Sequence, residues 1–184
     1  MERYRDLGLR SVFRADIANF FDEIDHDLLQ ARVAGVVGDA LVTELVMGLV
    51  AAPLVTPNGL VERRAGVPQG APVSPALANH FLARFDRATD GRRGRLVRYA
   101  DDLGVLCADD EGAQVARWDV EQALGGLRLR INEAKSYVSN FDRGISFLGW
   151  VFFRTGGYEE SPSPRWVHPM AVGRSQAGQG RRPW

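Results

Sequence analysis

Two apolar runs of β-forming residues, 96–100 and 103–108, are separated by nothing but Asp101 and Asp102. Strands that close together face each other across a hairpin, so this spacing places two adjacent carboxylates at a turn. A relaxed two-residue turn would use Asn-Gly or Asp-Gly. Neighbouring carboxylates repel unless a cation lies between them. The chain must therefore fold into an antiparallel sheet with an acid-tipped hairpin.

A third acid belongs with them. Residues 11–17 read as a strand through Val12, Phe13 and Ile17, and Asp16 sits near its end. Taken alone, an aspartate after a strand is more often a turn or cap residue. Three acids on adjacent strand ends instead form a hard-oxygen site suited to magnesium, and a two-ion site carries out in-line phosphoryl or nucleotidyl displacement.

The remaining pattern supplies helices to back that sheet. Helical periodicity runs over residues 28–37 and again from Asp39 through Leu41, Leu45, Val46 and Leu49. Residues 40–55 are interrupted by Glu44 and Pro53 and fall short of the roughly 20 residues that span a bilayer, so a core helix is expected. A hairpin turning at Asn58-Gly59 follows, then a Gly/Pro loop over residues 66–75 and a helix over 76–88 with Leu77, Phe81 and Phe85 on one face. Asp110 is a cap for a helix ending at Gly125-Gly126, and residues 127–131, 135–140 and 145–153 read as strands, with Gly149 at a turn. From Thr155 onward Gly, Pro, Ser and Arg dominate, which predicts an irregular tail over 155–184. The fold class is α/β of the α+β kind: an antiparallel sheet backed by helices, with a ferredoxin/RRM-like core in one domain over residues 1–154.

Composition excludes other classes. The chain has 184 residues, 45% hydrophobic and 25% charged, with 23 basic against 23 acidic side chains, so neither a membrane protein nor a disordered chain is indicated. All the basic residues but Lys135 are arginine, a bias that GC-rich coding DNA explains better than any single role. The Arg92, Arg93, Arg95 and Arg98 cluster suits phosphate contact and a solvated loop equally. The single Cys107 excludes an internal disulfide framework and fits a reducing, cytoplasmic setting. No export signal is evident at the N-terminus.

Five segments in order resemble the motifs of group II intron-like bacterial reverse transcriptases. Residues 14–26, RADIANFFDEIDH, look like the first catalytic motif, and 66–79, GVPQGAPVSPALAN, resemble the second. Residues 98–102, RYADD, are similar to the YADD box, 132–135 to Asn-x-x-Lys, and Phe147-Leu148-Gly149-Trp150 to the primer-grip hairpin. The ordered set is far more specific than YADD alone.

The resemblance implies a polymerase palm in which Asp16, Asp101 and Asp102, with the main-chain carbonyl of Ile17, bind two Mg²⁺ ions, Mn²⁺ being the usual substitute. Phe21 falls at the steric gate that excludes a ribose 2′-hydroxyl. Gln69 and Gly70 lie against the templating base pair, Tyr99 belongs to the nucleotide site, and Lys135 is the candidate general acid for departing pyrophosphate, since an ammonium can release a proton and a guanidinium effectively cannot. Partners are an RNA template, a DNA or RNA primer and dNTPs, with no membrane.

The resemblance also implies fingers before the first motif and a helical thumb after the last hairpin. Only residues 1–15 precede Asp16, and the Gly/Pro/Arg segment stands at the thumb position, so a fragment with weak activity alone, or one completed by missing or fused domains, is expected. Zero net charge agrees, because duplex binding rests on phosphate contacts. The intact second motif leaves intron, CRISPR-associated and antiviral-defence lineages, and Ala18-Asn19 in place of the frequent Lys-Gly favours a domesticated one. The competing readings are a noncatalytic RNA-binding module and a recently truncated remnant.

Overall fold

The computed structural model describes residues 4 and 6–154, together with the main chain of Tyr158–Glu160. Its centre is an antiparallel four-stranded sheet of β1 (Ser11–Asp16), β4 (Arg95–Tyr99), β5 (Asp102–Cys107) and β6 (Tyr137–Asn140), in the order β4-β5-β1-β6. β1 lies between β5 and β6 and is buried at all six positions. Alternation sends Phe13 and Ala15 one way, with Leu103 and Val105 of β5, into the main core. It sends Val12, Arg14 and Asp16 the other way.

Helices cover the first face. α4 (Ser74–Thr89) begins with proline in its first turn, where a missing N–H costs nothing, and buries Leu77, Phe81 and Phe85 at i, i+4 and i+8. α5 (Asp110–Gly125) buries Ala113, Ala116, Val120 and Leu124 beside it. The cap of α5 is Asp109, whose carboxylate accepts the Gly112 amide at 2.8 Å, rather than Asp110. Asp110 is drawn instead to the Ser11 hydroxyl.

A short helix, α1 (Phe20–Glu23), follows β1 and leads to α2 (His26–Val37) and α3 (Ala40–Val50). Asp25 and Asp39 cap the two longer helices by accepting the amides of Leu28 and Val42. α3 forms where periodicity places it but is not a core helix. Only Thr43 and Val50 are buried, while Leu41, Leu45 and Leu49 are 78%, 66% and 59% exposed. Its apolar residues encircle more of the helix than its contacts with α2 can cover.

The hairpin β2 (Leu54–Thr56)/β3 (Gly59–Val61) forms, but Thr56 pairs with Gly59, so Pro57 and Asn58 occupy the turn. Proline fixes a negative φ and excludes the mirror-image turn expected for Asn-Gly. Residues 127–131 are not a strand. The amides of Leu127, Arg128 and Leu129 close the end of α5 on Leu124 and Gly125, leaving only Ile131 to bridge to Ile17. A 3₁₀ turn, Glu133–Lys135, then precedes β6.

The second face of the sheet carries a hairpin, β7 (Ile145–Phe147) and β8 (Trp150–Phe152), whose Ile145 joins Val12, Leu106 and Phe141 in a smaller core. Leu148 and Gly149 both have positive φ, 50° and 81°, as a type I′ turn requires. β9 (Tyr158–Glu160) adds to the free edge of β8, so main-chain pairing continues into the segment expected to be irregular. The remainder of that segment, 155–157 and 161–184, lies outside the described residues.

Candidate active site

Asp16 is the last residue of β1 and pairs directly with Asp102, the first of β5. Directly opposed residues in an antiparallel pair project to the same face, so sheet register alone sets these carboxylates side by side. The two-residue turn of the β4/β5 hairpin is Ala100-Asp101 rather than Asp101-Asp102, because Tyr99 pairs with Asp102. Ala100 is held at φ 53°, an unusual conformation for alanine. Arg98 secures it: one guanidinium nitrogen donates to the Ala100 carbonyl at 2.9 Å and to Asn79 at 3.1 Å, while the others grip Asp86 at 2.7 and 2.6 Å. The Asp101 carbonyl accepts the Ile17 amide at 3.0 Å, which fixes the turn against the end of β1.

Two cations serve the acids. Lys135 Nζ donates to Asp16 Oδ2 at 3.1 Å, and the Asn132 amide donates to the Asp16 carbonyl at 2.7 Å. Arg14, two residues before Asp16 on the same face of β1, forms an ion pair with both oxygens of Asp102, including a 3.1 Å bond to Oδ2. Burial pushes the Asp102 carboxyl up to about 6 even with Arg14 beside it. Burial also raises Asp101, and the nearby Asp16 charge adds to it. Among the described residues no three His, Cys, Asp or Glu side chains gather as a metal site. The carboxylates instead form two ion pairs, Asp16 with Lys135 and Asp102 with Arg14.

The other expected residues lie around this centre. Phe21 packs partly against the main core, its ring centroid 5.3 Å from that of the buried Phe20. Asn19, at φ 44°, occupies the left-handed region where the resembled motif has glycine, and asparagine is among the few residues that tolerate it. Gln69 donates to both oxygens of Asp22 at 3.1 and 3.2 Å, so it bridges the loop to α1. Around Gly70 a Cβ would meet nothing within 4 Å; the tight glycine of this loop is Gly66. His26 donates from Nε2 to the Gly66 carbonyl at 2.7 Å, and Asp25 caps α2. Tyr99 is 66% exposed beside the turn. Of the hairpin residues, Phe147 is buried while Leu148 and Trp150 are substantially exposed. Arg92 and Arg93 pair with Asp119, Arg95 with Asp90 and Arg98 with Asp86, so each of the four arginines has an intramolecular partner.

Sequence reasoning missed Arg14, Gly66 and the structural part played by Arg98. Arg14 left a readable signal. An arginine inside an otherwise apolar strand is costly, and period-two alternation places it on the face of Asp16.

The chain matches the family described as reverse transcriptase (RNA-dependent DNA polymerase) over residues 5–152. Protein YkfC of Escherichia coli (strain K12) is 29% identical, with 79% of this chain and 47% of YkfC covered. Telomerase from Candida tropicalis superposes with a TM-score of 0.69 at 12% identity, over 86% of this chain and 35% of that one. Telomerase from Candida albicans, in a complex with the TWJ fragment of telomeric RNA, gives a TM-score of 0.69 at 14% identity, over 90% and 34%. The telomerase likeness is one of fold. The chain spans about half the length of YkfC and about a third of the telomerase chains. No helix among the described residues is long and apolar enough to cross a membrane. A match that runs through β1 to β8 and takes in Asp16, Asp101 and Asp102 makes this chain a member of the reverse transcriptase family.

Proposed function

We propose that this chain is the catalytic palm of an RNA-directed DNA polymerase, in which Asp16, Asp101, Asp102 and the Ile17 carbonyl hold two magnesium ions, with manganese as a substitute. The observation that carries this reading is the direct cross-strand pairing of Asp16 with Asp102, beside a turn bearing Asp101. An all-oxygen donor set of this kind suits a hard divalent cation, and carboxylates this close require positive charge. When bound, such ions activate a primer hydroxyl and stabilise leaving pyrophosphate. Around them Phe21 excludes a 2′-hydroxyl, Gln69, Gly70 and Tyr99 contact the nascent base pair, and residues 147–150 support the primer. Lys135 protonates departing pyrophosphate in this reading, which its ammonium, 3.1 Å from Asp16 Oδ2, supports.

RNA-templated dNTP incorporation with Mg²⁺, compared between wild type and Asp101→Ala, tests the assignment. Activity falling to background in the variant is expected; equal activity overturns the two-metal site. The formal net charge is zero, and the relatives are two to three times longer, so we infer that robust extension also needs further basic, duplex-gripping surface. Primer extension should rise sharply when fingers and thumb segments are supplied, and robust extension by the 184-residue chain alone would refute this. The motif set supports a group II intron-like lineage, with a domesticated CRISPR-associated or antiviral branch favoured by Ala18-Asn19. One observation favours a second reading, a nonpolymerising RNA-binding palm: two of the three carboxylates, Asp16 and Asp102, already have internal cations. RNA binding by both wild type and Asp101→Ala, with no incorporation by either even in a completed polymerase, would select it.

A further inference from the structure

Arg14 is the largest fully buried side chain among the described residues, 2% exposed, on a central strand. Three groups from three other strands meet its guanidinium. The Asp102 carboxylate of β5 takes a two-oxygen ion pair. The largely buried Tyr137 of β6 lies directly across from Arg14 in the β1/β6 register, where the guanidinium charge counters the rise that burial gives its phenol. The Phe147 ring of β7 stacks on it, with the guanidinium carbon 4.7 Å from the ring centroid.

A planar guanidinium can bond in its plane while stacking through its face, which a lysine ammonium cannot do. The 3.1 Å bond to Oδ2, together with the charge pairing at Oδ1, restrains the rotation of the Asp102 carboxylate. The stacked face ties that orientation to the β7/β8 hairpin. A buried charge with one good partner is held firmly there, because leaving either member unpaired is costly.

We propose that Arg14 is a positioning residue that sets the Asp102 carboxylate for cation binding and couples it, through Phe147, to the hairpin on which the primer strand rests. The inference rests on the metal-site reading above. It goes beyond that reading by making the hairpin and the carboxylate one mechanical unit: a strand seated on the hairpin steadies Asp102, and a cation on Asp102 steadies the hairpin.

The test uses the whole chain with Mn²⁺ as the probe, bound Mn²⁺ being read by electron paramagnetic resonance and the hairpin by amide hydrogen exchange over residues 145–152. In wild type, Mn²⁺ slows hairpin exchange. Arg14→Lys keeps the charge but loses the fork and the stacking. It should weaken Mn²⁺ binding by about tenfold, the range seen when a group orienting a metal ligand is lost, and abolish the slowing. Phe147→Leu leaves the ion pair intact, so it should keep Mn²⁺ binding within about threefold yet also abolish the slowing. Should Arg14→Lys fail to fold, the Phe147→Leu exchange result decides alone. Wild-type affinity in a folded Arg14→Lys, or hairpin slowing that persists in Phe147→Leu, overturns the proposal. Undiminished Mn²⁺ binding by Asp101→Ala would instead overturn the metal-site reading.

Discussion

Gly66 sits at φ +80°, and a Cβ there would stand 2.6 Å from the Phe21 carbonyl oxygen and 2.7 Å from the Asp22 Cα. Both neighbours are backbone, so neither can swing aside. Gly70, at φ +83°, has open space around the same position. Gly70→Ala should therefore cost only the backbone strain, about 1 kcal/mol, whereas Gly66→Ala should cost about 3 kcal/mol or more in urea unfolding. Equal losses would show that contact with α1 is not what demands Gly66. Cys107 gives a second prediction at this scale. Burial pushes its thiol up to about 11, so the folded chain keeps a proton that the unfolded chain loses nearer its ordinary value of 9.0. That preference stabilises the fold below about pH 9 and is lost as pH rises towards 11. Cys107→Ala should flatten the alkaline limb of thermal stability between those values.

Among the elements, α2 depends on a single residue at its start. Asp25 accepts the Leu28 amide, and this bond, aided by Arg128, holds its carboxyl below the ordinary range. Asp25→Ala should destabilise by about 1 kcal/mol near neutral pH, while Asp25→Asn, an equally good cap, should lose little. Because the folded value is depressed, the contribution is present above the ordinary carboxylate pKa and disappears as pH falls through the folded one. The Ala and wild-type melting curves should therefore converge in acid. α4 is fixed by its buried stripe instead. Phe81, fully buried against β-sheet and helices, should cost about 3 to 5 kcal/mol when truncated to alanine.

At the scale of the molecule, the buried mass surrounds β1, while α3 and the β2/β3 hairpin present Leu41, Leu45, Leu49, Val55 and Leu60 outward. Burial, not hydrophobicity, determines what these leucines contribute. Leu41→Gln and Leu45→Gln, singly or together, should each alter unfolding free energy by less than about 0.5 kcal/mol per site. A large loss of stability in the double variant would show that the face is covered. The same distinction explains how far the sequence could be read. A stripe such as Leu77, Phe81 and Phe85 looks the same in one dimension as Leu41, Leu45 and Leu49; only the position of the sheet separates them.

The sequence by itself determined the acid-tipped hairpin, the strand bearing Asp16, the capped helices and the family, because these depend on local periodicity, turn residues and ordered motifs. Tertiary structure alone decided the rest. Cross-strand register, which no local signal encodes, set Asp16 opposite Asp102 and moved the turn by one residue to Ala100-Asp101. The competition for amides at the end of α5 turned an expected strand into a connection. Packing of a hairpin on the second face enclosed Arg14, and a charge so enclosed is stable only with the Asp102, Tyr137 and Phe147 partners that three other strands bring to it.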